Sequence, residues 1–505
     1  MSRTLQELLE TGADDAPALL APDRPPLDFG GLRRQCTRTA ESLNAIGIGR
    51  GDRVGIVLPN GPEMASSFLA VAHAATTAPL NPAYRRSELE FYLSDIGAKA
   101  VVVERDGDTP AREAAGVLGI AVLELHHAPD DPAGVFDLDG PRGGTAARTG
   151  HAAADDIALI LHTSGTTSRP KIVPLTHANL TASARNIETS LMLEAGDRCM
   201  NVMPLFHIHG LVAAILASLG AGGSTYCTPG FNALKFFAWV ADAGPSWYTA
   251  VPTMHQAVLQ RAARSRTVID QHPLRFIRSC SAPLPVPVMH DLEETFGAPV
   301  VEAYAMTEAA HQMTCNPLPP GRRKPGSVGI AAGPEVAVMD DDGRILEAGR
   351  TAEVVIRGDN VTGGYENNPK ANAENWTNGW FRTGDQGVMD EDGYLRVTGR
   401  LKEIINRGGE KISPREVDDV LVEHPAVAQV VTFAVPHPKL GEQVGAAIVV
   451  AEGSSVDESE LKAFAAERLA PFKVPERILF VDEIPKGPTG KLQRIGLAEK
   501  LGLGS

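Results

Sequence analysis

The sequence predicts an α/β protein with a large N-terminal domain and a small α+β C-terminal domain. Residues 1–150 alternate strand and helix patterns, and the alternation resumes after Ile157, which is typical of mostly parallel sheets flanked by helices. Residues 326–400 carry short strand patterns separated by DDG, GDN and EDG turns, which favour a largely antiparallel β subdomain. A mixed α+β pattern follows Gly399–Lys402, so we expect an N-terminal domain over residues 1–400 and a C-terminal domain over residues 401–505.

The first 150 residues set the pattern of the N-terminal domain. The run RVGIVL is typical of a buried strand because its apolar residues end at the turn formers Pro59-Asn60-Gly61. The expected elements are an amphipathic helix over MSRTLQELLE, a helix over Leu32–Ile46, a strand over Arg53–Leu58, a helix over Glu63–Ala75 and a strand over Ala98–Val103. Pro129–Gly150 is rich in Pro, Gly and Asp and is expected to be a surface excursion.

The remaining elements follow from the same periodicities. Helices are expected over Asn179–Leu191, Gly210–Leu219, Pro414–Glu423 and Glu458–Arg468. Strands are expected over Arg198–Met203, Ser246–Val251, Leu274–Ser279, Glu335–Met339, Ala352–Arg357, Tyr394–Thr398, Val427–Val435, Gln443–Val450 and Arg477–Val481.

Composition excludes several classes of function. The 505 residues carry a net charge of −15, whereas a nucleic-acid-binding protein is expected to be basic. No apolar run approaches the roughly 20 residues that span a bilayer, and the N-terminus does not resemble a signal peptide. The five cysteines are widely spaced and form no CxxC pair, which favours reduced thiols and a cytoplasmic location.

The stretch Leu161–His177, LHTSGTTSRPKIVPLTH, has the residues of a phosphate-binding loop. It follows an apolar run, places hydroxyl side chains and a glycine over Thr163–Ser168, adds Lys171 and ends in a helix start at Thr176. Backbone N–H groups and hydroxyls can surround an anion, and a lysine can neutralise it. The spacing is not that of the Walker loop. The alternative is an ordinary polar loop at a sheet edge.

A second cluster, EAYAMTE over Glu302–Glu308, combines an aromatic residue with a hydroxyl–carboxylate pair. Tyr304 can stack on a base, Thr307 can hydrogen-bond a phosphate oxygen and Glu308 can bind Mg²⁺, which prefers oxygen ligands. The alternative interpretation makes Thr307 the N-cap of a following helix, with Glu308 at its positive end.

Two further clusters contain charged residues on turns. FRTGD places Asp385 where a carboxylate can take ribose hydroxyls, and VTGR places Arg400 within reach of ribose or phosphate oxygens. PKGPTGK places Lys491 on a glycine-rich loop near the end of the chain, where movement of a domain can deliver it to a site. In isolation, each of these residues is more often a solvated turn residue.

Together, in this order, these motifs resemble those of the adenylate-forming superfamily of acyl-CoA synthetases, peptide-synthetase adenylation domains and luciferases. The resemblance covers about residue 30 to residue 495. It implies that the C-terminal domain is mobile and that the enzyme catalyses two half-reactions. A carboxylate attacks the α-phosphate of ATP to give an acyl-adenylate and pyrophosphate, and a thiol then displaces AMP. ATP, Mg²⁺, coenzyme A and a small carboxylic acid are the implied cofactors and substrates.

The resemblance also implies roles for individual residues. The triphosphate is held by Thr163, Ser164, Gly165, Thr166, Thr167 and Lys171. The nucleoside and α-phosphate are held by Ser281, Ala282, Pro283, Glu302, Ala303, Tyr304, Thr307, Asp385, Val397 and Arg400, and Glu308 binds Mg²⁺. Lys491 stabilises charge in the transition state, with Thr307, Glu308 and His207 as the other expected catalytic residues. Lys402 falls at the hinge, and Gly408 and Gly409 fall where the thiol passes after the small domain rotates.

The chain departs from the family pattern within the phosphate loop. The family usually has glycine directly after the loop lysine, where this chain has Ile172, and it commonly has glycine where this chain has Ser168. If that first position requires positive φ, a β-branched residue is a costly occupant. Because the lysine is retained, function is expected, and the consequence of Ile172 for the loop geometry is left open.

The acid-binding end contains polar side chains where a fatty or aryl pocket would be apolar. His207, His209, Ser279, Ser281 and His311 are the expected acid-binding residues. An alkyl chain would leave such groups without hydrogen bonds, at about 1–3 kcal/mol each. A short second carboxylate would satisfy them. Some of these histidines can instead bond structural carbonyls.

The strings HTSGTTSRPK, PLFHIHGL, WYTAVPT, RFIRSCSA and EAYAMTEA resemble the oxalate–CoA ligase branch of the superfamily. Oxalate or another small polar acid is accordingly the expected substrate. The alternatives are a medium-chain or aryl acyl-CoA ligase, a stand-alone adenylation enzyme that loads a carrier protein, a nucleotide-binding regulator without turnover, and a light-emitting oxygenase. The sequence favours neither of the last two. Oligomeric state and regulation are not predicted.

Overall fold

The computed structural model describes residues 3–141, 143–163, 170–485 and 494–503. The predicted fold class is confirmed: a large α/β N-terminal part with a β subdomain is followed by a smaller α+β C-terminal part. Hydrophobic clusters follow the same division. The largest cores contain residues up to Leu395, whereas two separate clusters are built from residues between Ile405 and Ala498.

The first sheet lies within the initial 176 residues. In spatial order its strands are Asp137–Asp139, Ala121–His126, Ala100–Glu104, Arg53–Val57, Thr76–Pro79, Ile157–Thr163 and Lys171–Thr176. Its inner strands are parallel and its two outer pairs are antiparallel. The expected surface excursion over Pro129–Gly150 therefore contributes one short edge strand.

The second sheet positions most of the candidate site. In spatial order its strands are Ile330–Ala331, His311–Cys315, Val300–Met306, Phe276–Ser279, Trp247–Ala250, Arg198–Asn201, Ser224–Cys227, Pro17–Leu20 and Leu27–Asp28. Its central strands, from Val300–Met306 to Pro17–Leu20, are parallel. The loops after these strands therefore meet at one edge, which is where open α/β sheets bind ligands.

The remaining strands form two mainly antiparallel sheets. The β subdomain contains Glu335–Met339, Thr351–Arg357, Trp376–Thr377, Trp380–Met389 and Leu395–Arg400. The C-terminal sheet contains Glu410–Ile412, Ile405–Arg407, Gly441–Val450, Val427–His437 and Arg477–Phe480.

Helices cover the sheets, and several of them begin at a residue whose side chain caps the first turn. Thr176, for example, accepts a hydrogen bond from the backbone N–H of Asn179 at 3.1 Å and starts the helix His177–Leu191. The α-helices are Leu5–Leu9, Phe29–Ala45, Pro62–Ala72, Arg86–Asp95, Pro110–Leu118, His177–Leu191, Ala217–Gly220, Phe236–Ala243, Pro252–Ala262, Arg266–Gln271, Val286–Phe296, Pro369–Asn375, Pro414–Leu421, Glu458–Ala466 and Leu497–Lys500. Short 3₁₀ turns lie at Ala263–Ser265, Thr307–Ala309, Leu401–Glu403 and Pro471–Lys473.

One predicted helix has an unusual geometry. Most of the segment expected as a helix over Gly210–Leu219 is a buried π-helix, His209–Leu216, which continues into Ala217–Gly220. Single π turns inside helices are frequent at functional sites. Among the helices of the described residues, none has the length and apolar character needed to cross a membrane.

Candidate active site

The site lies at the carboxyl edge of the second sheet, beside the end of the strand Ile157–Thr163. The predicted phosphate loop leaves that strand at Thr163 and returns at Lys171, which pairs with Thr163 across the antiparallel strands. Ser164, Gly165, Thr166 and Thr167 lie outside the described residues, as does Lys491.

The loop lysine faces a protein environment rather than open solvent. The Lys171 ammonium lies 4.3 Å from the centroid of the Tyr365 ring, within cation–π distance. Burial lowers the pKa of Lys171, the nearby Glu308 carboxylate opposes that shift, and Lys402 adds to it. Lys171 therefore lies near both the Glu308 carboxylate and Lys402, the predicted hinge residue.

The condition for strain at Ile172, a positive φ, is not met. Ile172 lies in the strand Lys171–Thr176, opposite His162, and is not among the described residues with positive φ. Its side chain is buried with Ile160 in a hydrophobic cluster. Extended backbone suits a β-branched residue, so the departure from glycine introduces no conformational cost in this structure.

Glu308, the predicted metal-binding carboxylate, is buried and hydrogen-bonded. It is 7% exposed, and its Oε1 accepts a 2.7 Å hydrogen bond from the Tyr365 hydroxyl. Burial raises the pKa of Glu308, while the Tyr365 hydroxyl, Arg400 and Lys171 oppose the rise. Within the described residues no cluster of three metal-ligating side chains surrounds it. The protein supplies one carboxylate here, as in magnesium sites completed by substrate phosphates and water.

The alternative role of Thr307 as the N-cap of a helix is wrong. Thr307 is the first residue of a three-residue 3₁₀ turn, Met306 occupies the cap position, and a strand follows at His311. Ala310 and His311 have φ of 45° and 109° and turn the chain into that strand. Thr307 is thus left at the open edge beside Glu308.

The two predicted ribose-binding residues, Asp385 and Arg400, form a compact triad with Tyr304, which is predicted to line the adenine. Asp385 and Arg400 face each other on adjacent antiparallel strands, and the Arg400 Nε donates to Asp385 Oδ1 at 2.8 Å. The Tyr304 hydroxyl donates to the other carboxylate oxygen. Burial together with Asp385 raises the pKa of Tyr304, and Asp385 raises that of Arg400. The structure therefore brings together three residues that the sequence places up to 96 positions apart.

The loop opposite this triad is held by a buried carboxylate. Glu302 is almost fully buried, and its Oε1 accepts from the Leu284 N–H at 3.0 Å. Burial raises the pKa of Glu302 to about 7. Its side chain thus positions the segment Ser281–Leu284, which contains Ala282 and Pro283, while Ala303 is buried beside it. The Val397 carbonyl accepts from Arg415 at 2.7 Å, which links the strand before the hinge to the helix after it.

The acid-binding end is organised by Arg278, which lies in the polar run Arg278–Ser281 but is not among the expected acid-binding residues. This side chain is 0% exposed. Its guanidinium donates to His311 Nε2 at 3.2 Å and to Gln312 Oε1 at 3.2 Å, and lies 3.5 Å from His209 Nε2. In the described part of the chain, the guanidinium forms no ion pair with a carboxylate. A buried cation surrounded by neutral groups is costly unless an anion joins it.

The predicted acid-binding residues are not all brought together. The rings of His209 and His311 stack with centroids 5.0 Å apart, and Ser281 Oγ lies 3.0 Å from His209 Nδ1. His207 is half-buried, and its Nδ1 accepts from the His209 N–H at 3.2 Å. Ser279 follows Arg278 on the same strand, so alternation directs its buried side chain to the opposite face of the sheet. The structure therefore separates Ser279 from the two stacked histidines.

The predicted hinge and thiol-passage residues lie on short connecting structures. Lys402 is in the 3₁₀ turn Leu401–Glu403, directly after the strand that contains Arg400. Gly408 and Gly409 form the two-residue turn between Ile405–Arg407 and Glu410–Ile412, with φ of 60° and 101°. Positive φ at both positions is the requirement of a type I′ hairpin turn, which explains the two glycines.

The fold is that of an adenylate-forming enzyme, with a large α/β N-terminal part and a smaller α+β C-terminal part. Comparison with known proteins agrees. A model described as AMP-binding enzyme matches residues 9–366, and one described as AMP-binding enzyme C-terminal domain matches residues 416–491. The chain belongs to the AMP-binding enzyme family.

Relatives cover nearly the whole chain. An oxalate–CoA ligase of Arabidopsis thaliana is 48% identical over 504 residues, which is 98% of each chain. An oxalate–CoA ligase of Saccharomyces cerevisiae is 43% identical and covers 89% of this chain and 87% of its own. Among solved structures, ATP-bound MatB from Rhodopseudomonas palustris has a TM-score of 0.89 at 31% identity over 99% of both chains, and its apo form has a TM-score of 0.79. The prediction of an AMP-forming carboxylate–CoA ligase is confirmed.

Proposed function

We propose that the protein is an ATP-dependent oxalate–CoA ligase. The observation that carries this proposal is the buried Arg278 guanidinium at the acid-binding end, beside His209, His311 and Gln312, none of which supplies a negative charge. A small acid with a second carboxylate supplies the missing negative charge, and an alkyl or aryl chain does not. The two oxalate–CoA ligases that are 48% and 43% identical support the same substrate.

In the first half-reaction, an oxygen of one oxalate carboxylate attacks the α-phosphorus of ATP. A P–O bond forms to give oxalyl-adenylate, and the bond to pyrophosphate breaks. Lys171 and the loop before it hold the departing pyrophosphate, and Asp385 with Arg400 holds the ribose. Tyr304, Ala303 and the segment Ser281–Pro283 enclose the adenine.

Glu308 fits a magnesium site, because a hard cation takes a buried carboxylate oxygen and completes its coordination with phosphates and water. The ion, when bound, supplies positive charge to the phosphate oxygens. Thr307, beside Glu308, donates its hydroxyl to the α-phosphate. Lys491 bridges the acid and the α-phosphate and stabilises the charge that develops between them. His207, at the rim of the acid site, orients the reacting carboxylate.

In the second half-reaction, the thiolate of coenzyme A attacks the oxalyl carbonyl and AMP leaves. We assign residues 1–400 to the adenylation domain and residues 401–505 to the mobile domain, with the hinge at Lys402. The separate hydrophobic clusters on either side of the hinge support this division. The higher TM-score to ATP-bound MatB supports assigning the described arrangement to the adenylation step. After rotation, the turn at Gly408 and Gly409 borders the thiol passage.

The five cysteines are free and buried, which supports a location in the reducing cytoplasm.

The function is tested by measuring AMP release across a panel of acids with coenzyme A present. Oxalate is expected to give the highest kcat/KM, ahead of octanoate and 4-coumarate. A higher value for either of those acids contradicts the substrate assignment. Omitting coenzyme A identifies the thiol acceptor. An enzyme that uses free coenzyme A as the acceptor requires it for multiple turnovers. An enzyme that loads a carrier protein turns over only when that carrier is supplied.

A further inference from the structure

A chain of buried hydrogen bonds runs from Arg278 to the acid-binding loop. The Arg278 Nη1 lies 3.5 Å from Thr249 Oγ1, and Thr249 Oγ1 lies 2.6 Å from His209 Nε2. On the other side of the ring, His209 Nδ1 lies 3.0 Å from Ser281 Oγ. Arg278, Thr249 and His209 are each 0% exposed, whereas Ser281 is partly exposed. The chain thus begins in the core and ends at the open edge of the site.

The chemistry of arginine gives this chain a direction. A guanidinium has only donors and stays protonated, so Thr249 Oγ1 accepts from Arg278. The Thr249 hydroxyl hydrogen is then available to donate to His209 Nε2. Arg278 Nη1 also lies 3.5 Å from that nitrogen, so a hydrogen on Nε2 would face a second donor. His209 is therefore the tautomer with its hydrogen on Nδ1, and it donates that hydrogen to Ser281 Oγ.

We infer that Arg278 is a positioning residue which, through Thr249 and His209, orients the Ser281 hydroxyl as a hydrogen-bond donor toward the substrate. Because Ser281 Oγ accepts from His209, its own hydrogen is directed away from the ring and toward the open edge. If the proposed function holds, the Ser281 hydroxyl donates its hydrogen bond to the second carboxylate of oxalate. An ionised carboxylate accepts hydrogen bonds and cannot donate them. Arg278 contributes charge from behind the histidines without touching the acid.

Two residues of this hydrogen-bonded group have unusual backbone conformations. Ser281 and His311 have φ of 73° and 109°, a region that non-glycine residues rarely adopt. Such conformations persist only where the surrounding structure enforces them, and they cluster at functional sites. His311 accepts from Arg278 through Nε2, so both strained residues are connected to the same guanidinium. The structure that enforces these two conformations therefore fixes both polar side chains at the acid-binding edge.

Thr249 is the link that can be changed without touching the substrate. Thr249→Val keeps the shape of the side chain and removes the hydroxyl, whereas Thr249→Ser keeps the hydroxyl. Thr249→Val is expected to raise the KM for oxalate about 10- to 100-fold, because an oriented hydrogen bond to a carboxylate is lost. The KM for ATP is expected to stay within about threefold, since general damage to the fold would raise both values. Thr249→Ser is expected to restore most of the wild-type KM for oxalate.

The protonation pattern is measured directly by long-range ¹H–¹⁵N NMR on the full chain labelled with ¹⁵N-histidine, with the His209 signal assigned by its absence in His209→Gln. The wild-type enzyme is expected to show the hydrogen on Nδ1 of His209, and Thr249→Val is expected to lose that fixed tautomer. A hydrogen on Nε2 in the wild type overturns the inference, as does an unchanged KM for oxalate in Thr249→Val. If oxalate is not a substrate but the Nδ1 tautomer is found, the proposed function fails and the direction of the chain stands.

Discussion

Replacing Ile172 with glycine restores the residue that the family usually has after the loop lysine, and we expect the change to destabilise this protein. Ile172 is buried in a hydrophobic cluster that includes Ile160, and its carbonyl accepts from the Glu366 N–H at 3.1 Å. Glycine removes the packed side chain and increases the freedom of the unfolded chain. The backbone is already extended, so glycine relieves no strain.

The magnitude follows from burial. Truncating a buried isoleucine to alanine costs about 2–5 kcal/mol, and glycine in a strand interior adds about 0.5–1 kcal/mol. The expected loss for Ile172→Gly is therefore about 2.5–6 kcal/mol, a large share of the roughly 5–15 kcal/mol typical of a folded domain. Ile172→Val removes one methylene and keeps the β-branched shape, so it is expected to cost about 0.5–1.5 kcal/mol.

Urea unfolding of the wild type, Ile172→Gly and Ile172→Val measures these differences. The transition is followed by the fluorescence of Trp247, which is buried in the same N-terminal part, with Trp239, Trp376 and Trp380 contributing. The KM for ATP of folded wild-type enzyme is expected to lie in the ordinary range for a ligase despite the isoleucine. A glycine variant that is as stable as the wild type, or that binds ATP more tightly, refutes the argument from burial and extended backbone.

Four other outcomes are expected. Asp385→Asn should lower kcat/KM for ATP about 10- to 100-fold, because Arg400 and the ribose lose a charged partner; an unchanged value would remove Asp385 from the nucleotide site. Lys491→Ala should abolish adenylate formation and largely spare thioester formation from supplied oxalyl-adenylate, and equal losses would contradict that division. Lys402→Pro should spare the first step and block the second, and survival of both would place the hinge elsewhere. Burial lowers the pKa of His73 and His177 to about 4, below the value of about 6.5 in an unfolded chain, so the unfolded state binds more protons between these values. Stability should therefore fall by about 2 kcal/mol per histidine between pH 7 and pH 5, and a urea midpoint that rises instead would contradict the sign.

Much of the fold could be predicted because periodic patterns decide local structure. The strand over Arg53–Leu58 and the helix over Asn179–Leu191 are confirmed to within a few residues. The strand Thr76–Pro79 was missed because its small and polar residues resemble a loop, and only its burial between two neighbouring strands makes it part of the sheet. The strand Lys171–Thr176 was missed because Pro174 argues against a central strand, and it lies at the sheet edge where proline is tolerated.

The residues of the site could likewise be predicted only where a local motif marks them. Asp385 and Arg400 were found because each lies in a short motif, and the register of two adjacent strands explains why they meet. Arg278 and Tyr365 were not assigned roles, because their importance depends on long-range neighbours: His209 is 69 positions from Arg278, and Glu308 is 57 from Tyr365. The available signal for Arg278 was a second arginine near the end of the predicted strand LRFIRS. The loop residues up to Arg169 and Lys491 lie outside the described residues, so their roles stay predictions.

The pairing of Asp385 with both Tyr304 and Arg400 has a consequence for nucleotide recognition. Both oxygens of this carboxylate have partners within the protein, so ribose hydroxyls must share or replace bonds that already exist. Binding of the ribose then exchanges existing hydrogen bonds for new ones, and the net gain in binding free energy is small. A nucleoside without phosphates is therefore expected to bind weakly. Under the proposed function, retention then depends on the phosphates, for which Lys171 and the loop before it are the predicted partners. An enzyme arranged in this way releases AMP readily after thioester formation, because the pyrophosphate that secured the nucleotide has already left.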